Sequence, residues 1–440
     1  MTNGLSRPRK QFLDVLRVLA TCAVVQMHVL TGAIDVTDAS ILPEYRGFLL
    51  SVMDLVTWCV PVFLLISGYL FLNPERELTY PVMVKKYCRR IALAILLFGV
   101  PYAASELVVA ERTIRPGMIP EALKMALTGN TWSHMWYLYL ILFLYLITPL
   151  LKKVLRVVPV WSVVAVVLVI FFGSSVAPFL NKVLDINSIP VLPDRDVYFL
   201  YYLCGYLFAE RERCVDRERN ECAGGLVRKA GSSGSAGNAG DSGNERNAGS
   251  NTKWEGRKRI GNVWLLAAAA LALGMVLGRV LAGFSIQMAY NYPFTVLLSV
   301  LLFAAGWSGG WGAGTPTSSP AVGTPTSSPS AGTLGAGTPA AGISTAGEEQ
   351  ERLKYRIPWP EAGTLSFAVY LVHPVYVNLL YKFMNFTPFT LLEQIGVPSA
   401  AAGHVLLFFL LVAFCLLVLA LAAATAWVLR KIPALRKYVL

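Results

Sequence analysis

The stretch FLDVLRVLATCAVVQMHVL at residues 12–30 decides the fold, because a run of about 20 apolar residues crosses a bilayer as a helix. It contains Arg17 and, eleven residues later, His28. On an α-helix this spacing places the two side chains within ~20° of one face and ~16 Å apart. Ionisable groups at membrane depth usually face a cavity and serve a function. We therefore predict that Arg17 and His28 line one functional surface; the alternative is a snorkelling arginine and a helix-packing histidine.

The rest of the chain has the composition of an all-α polytopic membrane protein. Of its 440 residues, 55% are hydrophobic and 15% are charged. The basic N-terminus resembles a signal peptide, but the first apolar run carries Asp14 and lacks a small-residue cleavage site, so we interpret it as a retained span. Apolar runs predict about ten transmembrane helices, near 12–32, 48–72, 87–108, 134–151, 157–180, 196–210, 261–282, 289–308, 364–384 and 404–429.

The charge distribution predicts the topology. An even number of spans puts both termini on one side, and most of the 38 Lys and Arg residues fall on that side. The positive-inside rule therefore places both termini in the cytoplasm of a multi-pass protein of the plasma membrane. The net charge of +12 follows from this topology and does not indicate a nucleic-acid partner.

Two predicted cytoplasmic loops differ in composition from the spans. Residues 222–252 are rich in Gly, Ser, Asn and Ala, and residues 309–349 are rich in Gly, Ala, Thr, Ser and Pro. Such segments cannot bury a core. We predict two disordered inserts in a single membrane domain that spans residues 1–440.

Basic residues gather at the predicted cytoplasmic end of the third span. Lys85, Lys86, Arg89 and Arg90 lie there at the same level as Arg17, with Asp14 placed to hold the Arg17 guanidinium. Such a cluster suits a phosphorylated ligand. The alternative is the ordinary topology signal of juxtamembrane Lys and Arg, in contact with anionic lipid.

Histidines gather in the outer half of the spans. Asp54 lies at a depth in the membrane similar to that of His28. If the Asp54 carboxylate accepted a hydrogen bond from one ring nitrogen of His28, it would fix the tautomer and leave the other nitrogen free to act as a base. His134, which begins the fourth span beside two tryptophans, is a further candidate substrate-binding residue; the alternative is an interfacial anchor. Tyr370 and His373 share one face of the ninth span, which indicates either a cavity wall or helix–helix hydrogen bonds.

Several familiar kinds of chemistry have no supporting motif in the chain. The motifs GxxxxGK[ST] and HExxH do not occur, and GxSxG matches GWSGG at 306–310, at the edge of a predicted low-complexity insert. The seven cysteines have no metal-ligand spacing and most lie in apolar segments. We therefore expect no metal site, no disulfide framework and no bound cofactor.

Six stretches resemble one known family in the order in which they occur along the chain. They are FLDVLRVLATCAVVQMHV at 12–29, PVFLLISGYLF at 61–71, KKYCRRIALAILLFGVPY at 85–102, HMWYLYLILFLYLITPLL at 134–151, YFLYYLCGYLFA at 198–209 and LSFAVYLVHPVYV at 365–377. On these residues the chain resembles the acyltransferase-3 family of integral-membrane acyltransferases. Within the family it is most similar to the branch that includes the enterobacterial common antigen O-acetyltransferase.

The resemblance implies transfer of an acetyl or other acyl group from acyl-CoA to a hydroxyl of a cell-surface glycan or a lipid-linked sugar. It also implies that Arg17 and His28, the R-x10-H motif of the family, are essential for catalysis. The family's R-x-x-R motif falls on Lys86 and Arg89, where lysine replaces the first arginine. His28 would act as general base or be acylated transiently, and the sequence leaves both open.

Two other classes of function remain open at the level of sequence. Ten spans with buried ionisable groups also fit a transporter of a polar or anionic solute, although no matching half-repeats are evident. A non-catalytic membrane sensor or scaffold would use the long cytoplasmic loops as interaction sites. Release of the CoA thiol from acyl-CoA distinguishes the enzyme from both.

Overall fold

The computed structural model describes residues 10–37, 42–232, 242–282, 289–309, 359–396 and 399–440. These residues are mostly helical and contain no β-strand. Eight helical runs are long and apolar enough to cross a membrane. The prediction of an all-α polytopic membrane protein is therefore confirmed.

The helices follow one another along the chain with short connections between most of them. They are α1 Gln11–Val36, α2 Glu44–Phe71, α3 Tyr80–Glu111, α4 Met118–Thr128, α5 Trp136–Val157, α6 Val160–Val183, α7 Val197–Ser232, α8 Ser242–Ala282, α9 Pro293–Trp307, α10 Trp359–Phe383, α11 Pro388–Ile395, α12 Ala400–Leu429 and α13 Pro433–Tyr438.

Eight of the ten predicted spans correspond to helices of membrane-spanning length. These are α1, α2, α3, α5, α6, α10 and parts of α8 and α12. The predicted spans 196–210 and 289–308 correspond to the apolar beginning of α7 and to α9, a shorter apolar helix. The cytoplasmic location of both termini stays a prediction.

The two predicted inserts lie only partly within the described residues. Helical backbone enters the segment 222–252 from both sides, since α7 ends at Ser232 and α8 begins at Ser242. Glu, Arg and Lys near these ends favour helix. Residues 233–241 and 310–358 lie outside the described residues, so the disorder predicted for them stays a prediction.

A proline interrupts α2. Pro61 has no N–H, and a proline ring collides with the carbonyl four residues earlier, here that of Thr57. Helix α2 accordingly consists of two parts, a first that ends at Val56 and a second, Cys59–Phe71, that meet at a turn. The second part packs on α1 and α7, while the first reaches α8.

Helix α1 lies at the centre of the bundle. It contacts α2, α9, α10 and α12, and Leu16, Ala20 and Val25 are fully buried. A helix that is apolar on all sides is expected to be surrounded by others. Asp14 of α1 is accordingly buried against protein, and Arg17 lines an internal cavity.

Helices α2 and α7 approach closely at two glycines. A Cβ atom on Gly68 would lie 2.0 Å from the Tyr202 carbonyl oxygen, and one on Gly205 would lie 2.3 Å from the Leu65 carbonyl oxygen. Small residues permit such close contact between membrane helices. The pair α2–α7 forms one wall of the bundle beside α1.

Candidate active site

Two glycines hold α10 against α1. A Cβ atom on Gly363 would lie 2.7 Å from Oδ1 of Asp14, and one on Gly32 would lie 2.9 Å from the Val377 side chain. One contact lies near each end of α1. This close packing sets the axial register of the two helices, and both carry site residues.

The Arg17 guanidinium is held by Asp14, as the i,i+3 spacing predicts. Arg17 Nη1 donates to Asp14 Oδ1 at 2.9 Å, and the Asp14 side chain is only 1% exposed. A charged hydrogen bond to a buried carboxylate fixes the orientation of the guanidinium. Arg17 is partly exposed and faces a cavity.

This cavity, the arginine cavity, has a volume of about 470 Å³. Four arginines line it: Arg17, Arg76, Arg90 and Arg430. None of its lining residues, all in the described part of the chain, is acidic. Four guanidinium groups with no acidic side chain in the lining form an anion-attracting surface, and the fork of guanidinium donors matches phosphate oxygens.

The other three arginines of the cavity are held by neighbouring groups. Arg90 donates from Nε to the Val439 carbonyl oxygen and from Nη2 to a main-chain oxygen of Leu440, each at 2.6 Å. Arg430 donates to Thr364 Oγ1 at 2.9 Å, and Arg76 bonds the Tyr87 hydroxyl. The cationic groups are thus positioned in advance of any ligand.

The predicted basic cluster divides between two neighbouring surfaces. Arg17 and Arg90 line the arginine cavity. Lys86 and Arg89 line an adjacent groove between α3 and α13, together with Lys85 and Lys437. Arg90 and Tyr87 line both. The sequence did not single out Arg76 and Arg430, because the topology rule already accounted for both.

Three histidines from three helical segments meet beyond the arginine cavity. The ring centroid of His28 is 5.1 Å from that of His373 and 6.2 Å from that of His134, and the last two are 5.9 Å apart. His134 is therefore a member of this histidine cluster, although its position in the sequence is equally typical of an interfacial anchor. The sequence could not show this, because the contacts join residues more than 100 positions apart.

The protonation of His373 follows from its hydrogen bond. Its Nδ1 lies 3.2 Å from the Val369 carbonyl oxygen, which only accepts, so Nδ1 carries the proton. Nε2 of His373 and Nε2 of His134 are buried without a hydrogen-bond partner among the described residues. When the His373 ring is neutral, the hydrogen bond of Nδ1 leaves Nε2 as its unprotonated nitrogen inside the cluster.

Tyr370 connects the arginine cavity to the histidine cluster. Its side chain lines the cavity, and its ring centroid is 5.8 Å from that of His134 and 6.1 Å from that of His373. Its hydroxyl donates to the His134 carbonyl oxygen. The face of α10 predicted to be a cavity wall thus contacts both parts of the site.

Asp54 pairs with an arginine that the sequence did not indicate. Its Oδ2 accepts hydrogen bonds from Arg279 Nε at 2.9 Å and Nη2 at 2.6 Å. Both side chains are at least 96% buried. A buried carboxylate needs a nearby cation, and α8, which packs on α2, supplies it.

The arrangement brings together an anion-binding end, an aromatic wall and an imidazole end. Tyr87, Tyr137 and Tyr145 also line the arginine cavity, and the ring centroid of Tyr137 lies 5.9 Å from that of Tyr370. A long molecule with phosphate groups at one end fits this site, because its phosphates would contact the arginines and the rest of its length would contact the tyrosines. Imidazoles at its far end supply groups for proton transfer or nucleophilic attack.

One comparison with known proteins gives a match. A family model described as an acyltransferase domain, Acyl_transf_3, matches residues 10–226, which contain α1 to most of α7. No curated protein and no solved structure matches the chain. The matched range includes Arg17, His28 and His134, while Tyr370, His373 and Arg430 lie beyond it.

Proposed function

We propose that the protein is a membrane acyltransferase, because residues 10–226 match the acyltransferase domain model, and that its donor is cytoplasmic acyl-CoA. We propose further that the group is acetyl and that the acceptor is a hydroxyl of a cell-surface glycan or a lipid-linked sugar. The nearest branch would be that of the enterobacterial common antigen O-acetyltransferase, and the location the plasma membrane.

The observation that carries this proposal is the continuity between the four-arginine cavity and the histidine cluster through Tyr370. The phosphates of acyl-CoA bind Arg17, Arg76, Arg90 and Arg430, with Lys86 and Arg89 available in the adjacent groove. The pantetheine arm follows the aromatic wall. The ~16 Å between Arg17 and His28 along α1 is comparable to that arm in its extended form.

At the end of the arm, His28 serves the chemical step. As general base it accepts the proton of the acceptor hydroxyl while the hydroxyl oxygen attacks the thioester carbonyl. The new C–O bond forms, the C–S bond breaks, and the CoA sulfur leaves with a proton as the thiol. In the alternative, His28 itself takes the acyl group and passes it to the acceptor. Label retained on the protein from [14C]acetyl-CoA without acceptor would identify that alternative.

The test is CoA thiol release by the purified protein in lipid nanodiscs, with and without a cell-envelope glycan fraction. We expect acceptor-dependent release by the wild type and none by His28→Ala. His404→Ala is the matched control, because His404 packs against Tyr45 and Phe48, away from the histidine cluster. Absence of release from folded wild type with every acceptor would overturn the proposal and favour a transporter.

A further inference from the structure

A second cavity, here the lysine cavity, lies where the last turn of α5 faces the middle of α7. Its volume is about 200 Å³, and its lining includes Pro74, Lys152, Arg156, Tyr206, Glu210 and Arg213. It shares no lining residue with the arginine cavity. Neither the family match nor the proposed reaction gives it a role.

The lysine cavity contains more positive than negative charge. Lys152 is 5% exposed, and its ammonium bonds the Asn73 carbonyl oxygen without forming an ion pair with any described carboxylate. Glu210 is paired with Arg213, and Arg156 forms no ion pair within the described residues. A buried ammonium is stable only when a counter-charge compensates for lost hydration. Three cationic side chains of the lining therefore face one carboxylate, and an anionic ligand would compensate for the excess positive charge.

Two polar atoms at the same place also lack partners. Oε2 of Glu210 and Nε of Arg213 are buried without a hydrogen-bond partner in the described part of the chain. Buried polar groups are normally satisfied, so unpaired ones indicate a missing ligand or water. The carboxylate oxygen accepts only. A ligand that fits both features offers an anionic group to the cations and a hydroxyl to Glu210.

The position of the cavity favours a ligand from the membrane. Helix α5 ends at Val157, and the apolar beginning of α7 gives way to charged residues at Glu210. Charges that begin where apolar helix surfaces end lie at the level of the lipid headgroups. We propose that the lysine cavity binds a phosphoryl anion that carries a hydroxyl-bearing headgroup, as phosphatidylglycerol does, with free phosphate as the other source of the same anion.

The experiment measures lipid retained by the purified full-length protein, using native mass spectrometry after exchange into phosphatidylcholine with added phosphatidylglycerol. We expect wild type to retain phosphatidylglycerol and Lys152→Met to lose at least about ten-fold in apparent affinity. Lys153→Met is the matched control, because Lys153 is the exposed neighbour and does not line the cavity. Equal retention by wild type and Lys152→Met would overturn the proposal.

A second variant and a second probe complete the test. Arg156→Gln changes an exposed residue of the lining and leaves the buried packing intact, so we expect it to weaken retention even if Lys152→Met fails to fold. If Lys152→Met does not fold and Arg156→Gln retains as much phosphatidylglycerol as the wild type, the proposal is overturned. Inorganic phosphate that displaces the lipid from wild type would identify free phosphate as a ligand; no displacement would restrict the site to lipid. Both results support a phosphoryl-binding cavity.

Discussion

At the scale of single residues, Arg17 is where the buried and the solvent-facing parts of the site meet. Its guanidinium is held by Asp14 on one side and lines the arginine cavity on the other. A guanidinium already fixed in orientation loses little side-chain freedom when a phosphate binds. We therefore assign Arg17 to donor binding and leave the chemical step to His28.

Arg17→Ala is expected to raise the apparent KM for acyl-CoA about 10- to 100-fold, because a hydrogen bond to a charged group contributes roughly 1.5–3 kcal/mol. The value of kcat should change little. Steady-state thiol release over a range of acyl-CoA concentrations measures both. Arg46→Ala, at an exposed position of α2 outside the cavity, is the control. An unchanged KM with a reduced kcat would instead indicate that Arg17 acts in the transition state.

The sequence predicts those site residues that share a helix. The spacing of Asp14, Arg17 and His28 fixes their relation on α1, and that of Tyr370 and His373 fixes theirs on α10. It does not predict which helices meet. The ion pair of Asp54 with Arg279 and the contact of His28 with His373 depend on packing between distant segments, which periodicity within one helix does not contain.

At the scale of helices, the close contact between α2 and α7 requires glycine, which has no side chain, at positions 68 and 205. A Cβ atom on Gly205 would lie 2.3 Å from the Leu65 carbonyl oxygen and 2.5 Å from the Tyr69 amide nitrogen. Backbone atoms cannot move aside as a flexible side chain can. A methyl group at Gly205 must therefore separate the two helices.

Gly205→Ala is expected to lower the melting temperature in detergent by several degrees, since overpacking costs about 1–3 kcal/mol. Fluorescence-detected size-exclusion chromatography after heating measures this. Gly274→Ala on α8 is the matched control, because a Cβ atom there meets no atom within 4 Å. Equal melting temperatures of the two variants would contradict the close α2–α7 contact.

The α1–α10 interface gives a prediction about activity instead of stability. Gly363→Ala would place a methyl carbon 2.7 Å from Oδ1 of Asp14, a side-chain atom that is able to shift. The shift moves the partner of Arg17, so we expect a KM for acyl-CoA raised about ten-fold, in the direction of Arg17→Ala. Thiol-release kinetics test this, with Gly278→Ala as the control. If Gly363→Ala had the kinetics of the wild type, the position of Asp14 would not matter for binding of acyl-CoA.

At the scale of the whole molecule, the site is formed by helices from both ends of the chain. Helices α1, α2, α3 and α5 contribute together with α10 and with Arg430 beyond α12. The described residues that line the two cavities all lie outside the predicted inserts 222–252 and 309–349. Composition located the spans in the sequence, whereas the order in which the helices surround α1 required the structure.

Deletion of 222–252 and 309–349 is expected to leave acyl transfer within about two-fold of wild type, because loop length affects closure free energy only weakly. Thiol release with the glycan fraction, normalised to folded protein, measures the outcome. Shortened loops of neutral Gly-Ser sequence serve as the control for chain connectivity. Lost function in the deletion variant with a folded membrane domain would favour the scaffold interpretation.

The contribution of α10 has a genetic consequence. A stop codon placed after residue 226 and before Trp359 leaves the family-matched range intact and removes Tyr370, His373 and Arg430. The protein encoded by such an allele still contains Arg17 and His28 but lacks Tyr370, which connects the arginine cavity to the histidine cluster. We expect it to behave as a null allele, so an intact 10–226 range in a gene is not enough to count that gene as encoding an active enzyme.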